Sequence, residues 1–319
     1  MDNLIFSLNA TMPIFFTMVV GYGLKQIKML NDDFVKVLNK FNFTVTLPVM
    51  LFMDLASCEF YQVWDTKYVL FCFLSTLFSI LSVWILGAIF IKDKRILGEF
   101  VQAAYRASNA VLGLAYISNI YGKSEMAPLM IIGSVPLYNI MAVVILTVTS
   151  PEDNENKDVD TKTAIKKSVF GILKNPIIIS IALGMIASVL HMHFPYVLDK
   201  TMKNFSVMAS PLALVALGAG FEGKKAIRMV KTTVICTFIK LMVWPALFVP
   251  VAYYLGFSGE KMVAILIMLG ASSTPSGYIM AKNMGHDGVL TSSTVVLTTL
   301  FSSLSLTIWL YVLRCMGAI

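Results

Sequence analysis

Charge is what this 319-residue chain has least of. Aspartate and glutamate together number 18, lysine and arginine 25, and charged residues make up 13% of the whole. An ordinary soluble domain carries about 25%. A water-facing exterior for a chain of this length cannot be built from so few charges. Histidine occurs three times and cysteine four times (Cys58, Cys72, Cys236, Cys315). With no CxxC pair, neither a disulfide framework nor a metal site is expected. His191 and His193 stand two apart and would face different sides of a helix. There is no GxxxxGK[ST] segment, which excludes ATP hydrolysis by a P-loop. Without HExxH, GxSxG or paired aspartates inside a span, no catalytic set is evident, so the chain reads as neither an enzyme nor a cofactor protein. The opening MDNLIF lacks a basic region and a cleavage site, so it does not read as a signal peptide.

What is present is apolar: 57% of the residues are hydrophobic. Ten stretches can each span a hydrocarbon core that needs about 20 residues. They cover 5–25, 34–56, 68–91, 99–121, 126–149, 172–191, 196–220, 232–255, 261–282 and 289–313. One long polar insertion, 151–167, separates five spans from five. The expected organisation is therefore 1–150, a linker at 151–167 and 168–319. The net charge of +7 raises nucleic acid as a partner, but the lysines cluster in short segments between apolar runs. That is the pattern of membrane topology rather than of a nucleic-acid face. With the N-terminus outside, 17 of the 25 basic residues fall in inside segments, six in outside segments, and Arg106 and Lys240 within spans. The bias predicts both termini outside and the linker in the cytoplasm. The triplets at Asn9, Asn42 and Asn204 lie in or beside spans, which argues against glycosylation.

The halves echo one another. Pro13 to Gly21 matches Pro176 to Gly184, and Pro48 and Pro211 each follow their partner proline at the same spacing. Tyr116-Ile117 with Gly122 echoes Tyr278-Ile279 with Gly285. An odd number of spans per half turns the second half upside down. The expected fold is an all-α polytopic membrane protein, ten helices in a 5+5 inverted repeat.

In such architectures the solute site sits at the midplane, where helices are interrupted. Span 4 reads Arg106-Ala-Ser108-Asn109-Ala-Val-Leu-Gly113, and the repeat offset places Asn109 on Ser272. Span 9 there reads Gly270-Ala-Ser272-Ser273-Thr274-Pro275-Ser276-Gly277. Proline inside a helix removes an N–H and clashes with the preceding turn, so span 9 should break or kink there. Two readings stand: a solute site, or a kinked helix satisfied by its own hydroxyls. Arg106, a cation within a span, costs about 2.5–3.5 kcal/mol on insertion scales. It reads either as a carboxylate-binding residue or as a side chain snorkelling to headgroups. Lys240, near the middle of span 8, reads as an ion-pair partner of Asp54, with proton exchange or substrate contact as alternatives. Asp54, Glu59 and Asp65 lie at or beyond the outer end of span 2.

The run Pro13 to Gly21 with Leu24, Leu47-Pro48-Val-Met-Leu-Phe52, Asn109-x3-Gly113, Asn175-Pro176 and Pro275 resembles, in order and spacing, the auxin efflux carrier family. That family includes bacterial permeases and plant auxin carriers. The resemblance covers essentially the whole chain. It implies ten helices with helices 4 and 9 broken and crossing, and a transport domain moving like an elevator against a scaffold. Where the family commonly has a proline, this chain has Ala115, which leaves the sharpness of a helix 4 break open.

The combined expectation is a secondary carrier of a small organic anion, such as a carboxylate or dicarboxylate. It would work in a bacterial inner membrane, and a homodimer is compatible with the sequence. Rival readings are a sodium-coupled symporter of the bile acid type and a membrane sensor on the same fold, which the short linker disfavours. The topology is testable by labelling. An impermeant thiol reagent added to intact cells should fail to reach a cysteine placed at Asn154. Labelling from outside would invert the assigned orientation.

Overall fold

The computed structural model describes residues 2–57, 64–109, 117, 120–121, 126–150 and 169–319. Cys58, Glu59, Gly113, Ala115 and the 151–167 linker lie outside these. The described residues are all-helical, without strands. Among the described residues, five helices are long and apolar enough to cross a membrane.

In chain order, α1 (Asp2–Gln26) is followed by α2 (Asp32–Phe41) and α3 (Leu47–Ala56), then by α4 (Thr66–Phe90). Next come α5 (Leu97–Tyr105) and α6 (Ala127–Val148). The second half holds α7 (Pro176–Val189), α8 (Tyr196–Ala219) and the short α9 (Gly223–Arg228). It continues with α10 (Val230–Phe238), α11 (Trp244–Tyr254), α12 (Gly259–Gly270), α13 (Ser276–Asn283) and α14 (Val289–Cys315).

Two helix pairs are joined by π turns. Asn42–Thr46 links α2 to α3, and Ile239–Val243 links α10 to α11. In both cases a proline, Pro48 or Pro245, follows two residues after the turn. The proline has no N–H to give and its ring crowds the carbonyl four residues back. Widening the preceding turn relieves that crowding and keeps the helix running. The carbonyl left by Pro245 belongs to Leu241, and the Trp309 indole N–H takes it at 3.2 Å.

The halves pack directly against each other. Gly21 and Gly218 let α1 and α8 approach backbone to backbone. A methyl at Gly218 would lie 2.0 Å from the Met18 carbonyl oxygen, and one at Gly21 would lie 2.4 Å from that of Val215. Such small-residue contacts carry helix association in lipid, where lipid tails are as apolar as the helix faces. The start of α14 is fixed by a carboxylate from another helix. Glu99 on α5 is buried and accepts from the N–H groups of Gly288 (2.8 Å) and Thr291 (2.9 Å). Those are free helix-start donors at the positive end of the dipole. Outside the bundle, Asp65 caps α4 and pairs with Lys261 on α12 at 2.5 Å. The hydrogen bond from Lys261 holds its carboxyl below the usual range.

The innermost helices are short. Every residue of α5 is buried, as is the run from Met262 to Gly270 in α12. A helix buried on all sides belongs to an interior, and on α5 the polar Glu99 and Gln102 are hydrogen-bonded to Gly288, Thr291 and Gly277.

The α1–α8 contact predicts a contrast between glycines. Gly218→Ala should lower the thermal unfolding midpoint in detergent by the equivalent of about 1–3 kcal/mol, as overpacking does. Gly23→Ala, with nothing within 4 Å of the added methyl, should leave it unchanged or raise it.

Candidate functional site

The site is built where the two buried helices stop. The backbone leaves the helical region at Arg106 (φ −65, ψ 142) after α5, and at Ala271 (φ −72, ψ 162) after α12. Residues 271–275 are non-helical, and α13 resumes at Ser276 behind Pro275. The two stretches meet: the Ser108 N–H donates to the Ser272 carbonyl at 3.0 Å.

Helix ends inside an apolar interior leave carbonyls that need donors, and side chains from other helices supply three of them. On α5, the Ala104 carbonyl takes the Trp244 indole N–H at 2.9 Å. On α12, the Met268 carbonyl takes the Tyr138 hydroxyl at 3.1 Å. The Leu269 carbonyl takes the Lys240 ammonium at 2.6 Å. After the break, the Ser273 N–H donates to the Thr298 hydroxyl at 3.0 Å.

Lys240 therefore has a different partner from the carboxylate expected of it. Its side chain is fully buried and its ammonium sits on the Leu269 and Met268 carbonyls, with no ion pair to Asp54. The physical reason is position. Lys240 lies in the π turn beside the end of α12, where carbonyls and the negative end of the helix dipole converge. Asp54 instead stands at the end of α3.

Arg106 is 3% exposed. Its Nη2 donates to the Asn139 side-chain oxygen and to the Ser276 hydroxyl, both at 2.9 Å, and Nη1 faces the Met280 sulfur at 3.1 Å. Nε has no acceptor. The side chain points inward across the break and does not snorkel. Among the described residues, none of the ion pairs includes it. Asn109, 1% exposed, donates to the Ser134 hydroxyl at 2.9 Å, and its own oxygen has no donor among the described residues.

These groups border a cavity of about 660 Å³, within the range of small-molecule sites. The lining includes Arg106, Ser108, Asn109 and all five residues Ser272 to Ser276. It also reaches Asp54 and Ser57 at the end of α3. Among the described lining residues Arg106 and Asp54 are the only charged ones. Ile14, Leu51, Ile131, Val135 and Leu214 form apolar wall. Of the candidate residues read from sequence, only Gly113 falls outside the described set, and Lys240 stands apart from the cavity. Sequence reasoning missed Asn139, Ser134 and Met280. An amide within the apolar run 126–149 was the available signal for Asn139.

A helical bundle fit for a bilayer, with a solute-sized cavity that is mostly apolar and carries polar groups at the helix interruptions, is the architecture of an integral membrane transporter. The chain belongs to the Membrane transport protein family, the auxin efflux carrier family, whose model matches residues 6–310. No curated protein matches the chain closely enough to add a relative.

Asn109 makes one side-chain hydrogen bond in the described structure, and such bonds in membrane helices average about 0.6 kcal/mol. Asn109→Ala should therefore keep folding and expression near those of the unsubstituted protein while solute transport falls. A variant that unfolds would assign Asn109 to the scaffold.

Proposed function

We propose that this protein is a secondary carrier of a small organic anion whose carboxylate pairs with Arg106. One observation carries the reading: a guanidinium buried at the wall of a solute-sized cavity, with Nε unpartnered and no carboxylate bonded to it among the described residues. A buried charge without a counter-charge is costly, on the order of several kcal/mol. The arriving carboxylate supplies the missing charge and occupies donors that the protein leaves open. Ser108, Asn109, Ser272, Ser273, Thr274 and Ser276 surround it with hydroxyl, amide and backbone groups. The apolar wall takes the body of the solute. The Arg106–carboxylate pair is closer to neutral than the guanidinium alone, which favours holding it within a low-dielectric interior.

The architecture we assign is ten helices in two inverted halves, 1–150 and 168–319. The fourth and ninth spans, 99–121 and 261–282, are broken and cross where Ser108 meets Ser272, and transport follows an elevator-like movement. Both termini face outside, the membrane is a bacterial inner membrane, and no chemical step is part of the cycle. The family membership and the meeting of two interrupted segments support this reading.

Arg106→Lys separates charge from geometry. Lysine keeps the charge but loses the planar fork that serves Asn139, Ser276 and a carboxylate together. Charge-assisted bonds contribute about 1.5–3 kcal/mol each, so uptake of a carboxylate into proteoliposomes should fall about tenfold or more at unchanged expression. Unchanged uptake would point to a neutral or zwitterionic solute held by hydroxyls and backbone alone.

A further inference from the structure

A second recess, of about 530 Å³, lies between the end of α4 and the α10–π–α11 helix, and shares no lining residue with the central cavity. Its walls are apolar: Val83, Leu86 and Phe90 from α4, with Ile235, Ile239 and Val243 opposite. Lys92 and Lys231 line it as well, at the end of α4 and the start of α10, and both are exposed. Among the described ion pairs neither takes part. The carboxylate in the lining, Asp93, is bonded twice to Arg95, each time at 3.1 Å. It is therefore not free to neutralise the two lysines.

The dimensions match one leaflet. At 1.5 Å per residue, Val83 lies about 11 Å along α4 from its last residue, Phe90, and Ile239 about 12 Å from Lys231. Half of a hydrocarbon core is about 15 Å. The recess thus runs from the charged end of the two helices to near the midplane, with cations at the mouth and hydrocarbon below.

We propose that it holds one anionic phospholipid, its phosphate between Lys92 and Lys231 and an acyl chain along the apolar wall. Charge complementarity selects an anionic headgroup over a zwitterionic one, since basic groups at a membrane surface attract anionic lipid. The apolar depth selects a lipid over free phosphate, which would leave the wall without an occupant. This inference is independent of the transport reading, because the groups and the cavity are different.

Native mass spectrometry and thermal unfolding of the purified full-length protein test it, with added phosphatidylglycerol, phosphatidylcholine or inorganic phosphate. Phosphatidylglycerol should be retained and should raise the unfolding midpoint more than either of the others. Lys92→Gln with Lys231→Gln should weaken that retention about tenfold or more, with the lipid-free midpoint unchanged. Leu86→Trp, which fills the wall while keeping both lysines, should reduce retention as well. Lys224→Gln with Arg228→Gln, basic residues of the same region that do not line the recess, should leave it intact. Three results would each overturn the proposal. They are equal retention of phosphatidylcholine, an equal shift with inorganic phosphate, and an equal loss in the Lys224/Arg228 variant.

Discussion

An interrupted helix inside a bilayer exposes backbone groups that no water can reach, and the centre of this molecule is organised by that constraint. The ends of α5 and α12 release carbonyls into an apolar interior, where each unpaired group costs several kcal/mol. The Trp244 indole, the Tyr138 hydroxyl and the Lys240 side chain take three of those carbonyls, of Ala104, Met268 and Leu269. The Ser108–Ser272 bond joins the two interruptions to each other. The donors come from helices far away in sequence, so the interruptions hold only when the bundle is assembled. Irregular backbone at this depth is tolerated where it is buried in protein or lines a cavity, and here it does both.

The two buried cations of this region differ in what they face. Lys240 is a compact ammonium on carbonyl oxygens at a helix C-terminus, where the dipole favours it. Its donors are used in holding the end of α12. Arg106 stands beside the other interruption and has neutral partners: an amide oxygen, a hydroxyl and a thioether sulfur. It still offers N–H groups, and it borders the cavity. One cation thus secures the scaffold of the site, and the other leaves its charge available to a solute.

Much of this was legible in the sequence because membrane constraints act locally. The all-helical, membrane-suited character follows from the apolar runs, and Pro275 among hydroxyls marked the interruption that the structure places at residues 271–275. Arg106 was conspicuous as a charge within an apolar run. What was not legible depends on contacts across the bundle. Asn139 reaches Arg106 from 33 positions away and Met280 from 174, and no periodicity encodes such meetings. The carbonyl partners of Lys240 were not legible for the same reason. Sequence shows a lone cation and suggests a carboxylate, whereas the end of α12 is a cluster of acceptors that exists only in three dimensions. The π turns before Pro48 and Pro245 also escaped, because a proline in an apolar run does not say whether the helix will kink or widen.

The central claim is that the buried guanidinium is completed by the negative charge of a solute, and it can be tested without altering the protein. Thermal unfolding of the purified protein can be followed with a panel of mono- and dicarboxylates and with the corresponding primary amides, matched in size and shape. The account predicts that at least one carboxylate raises the unfolding midpoint in a saturable manner while its amide does not. Stabilisation by the amide equal to that by its carboxylate would contradict it.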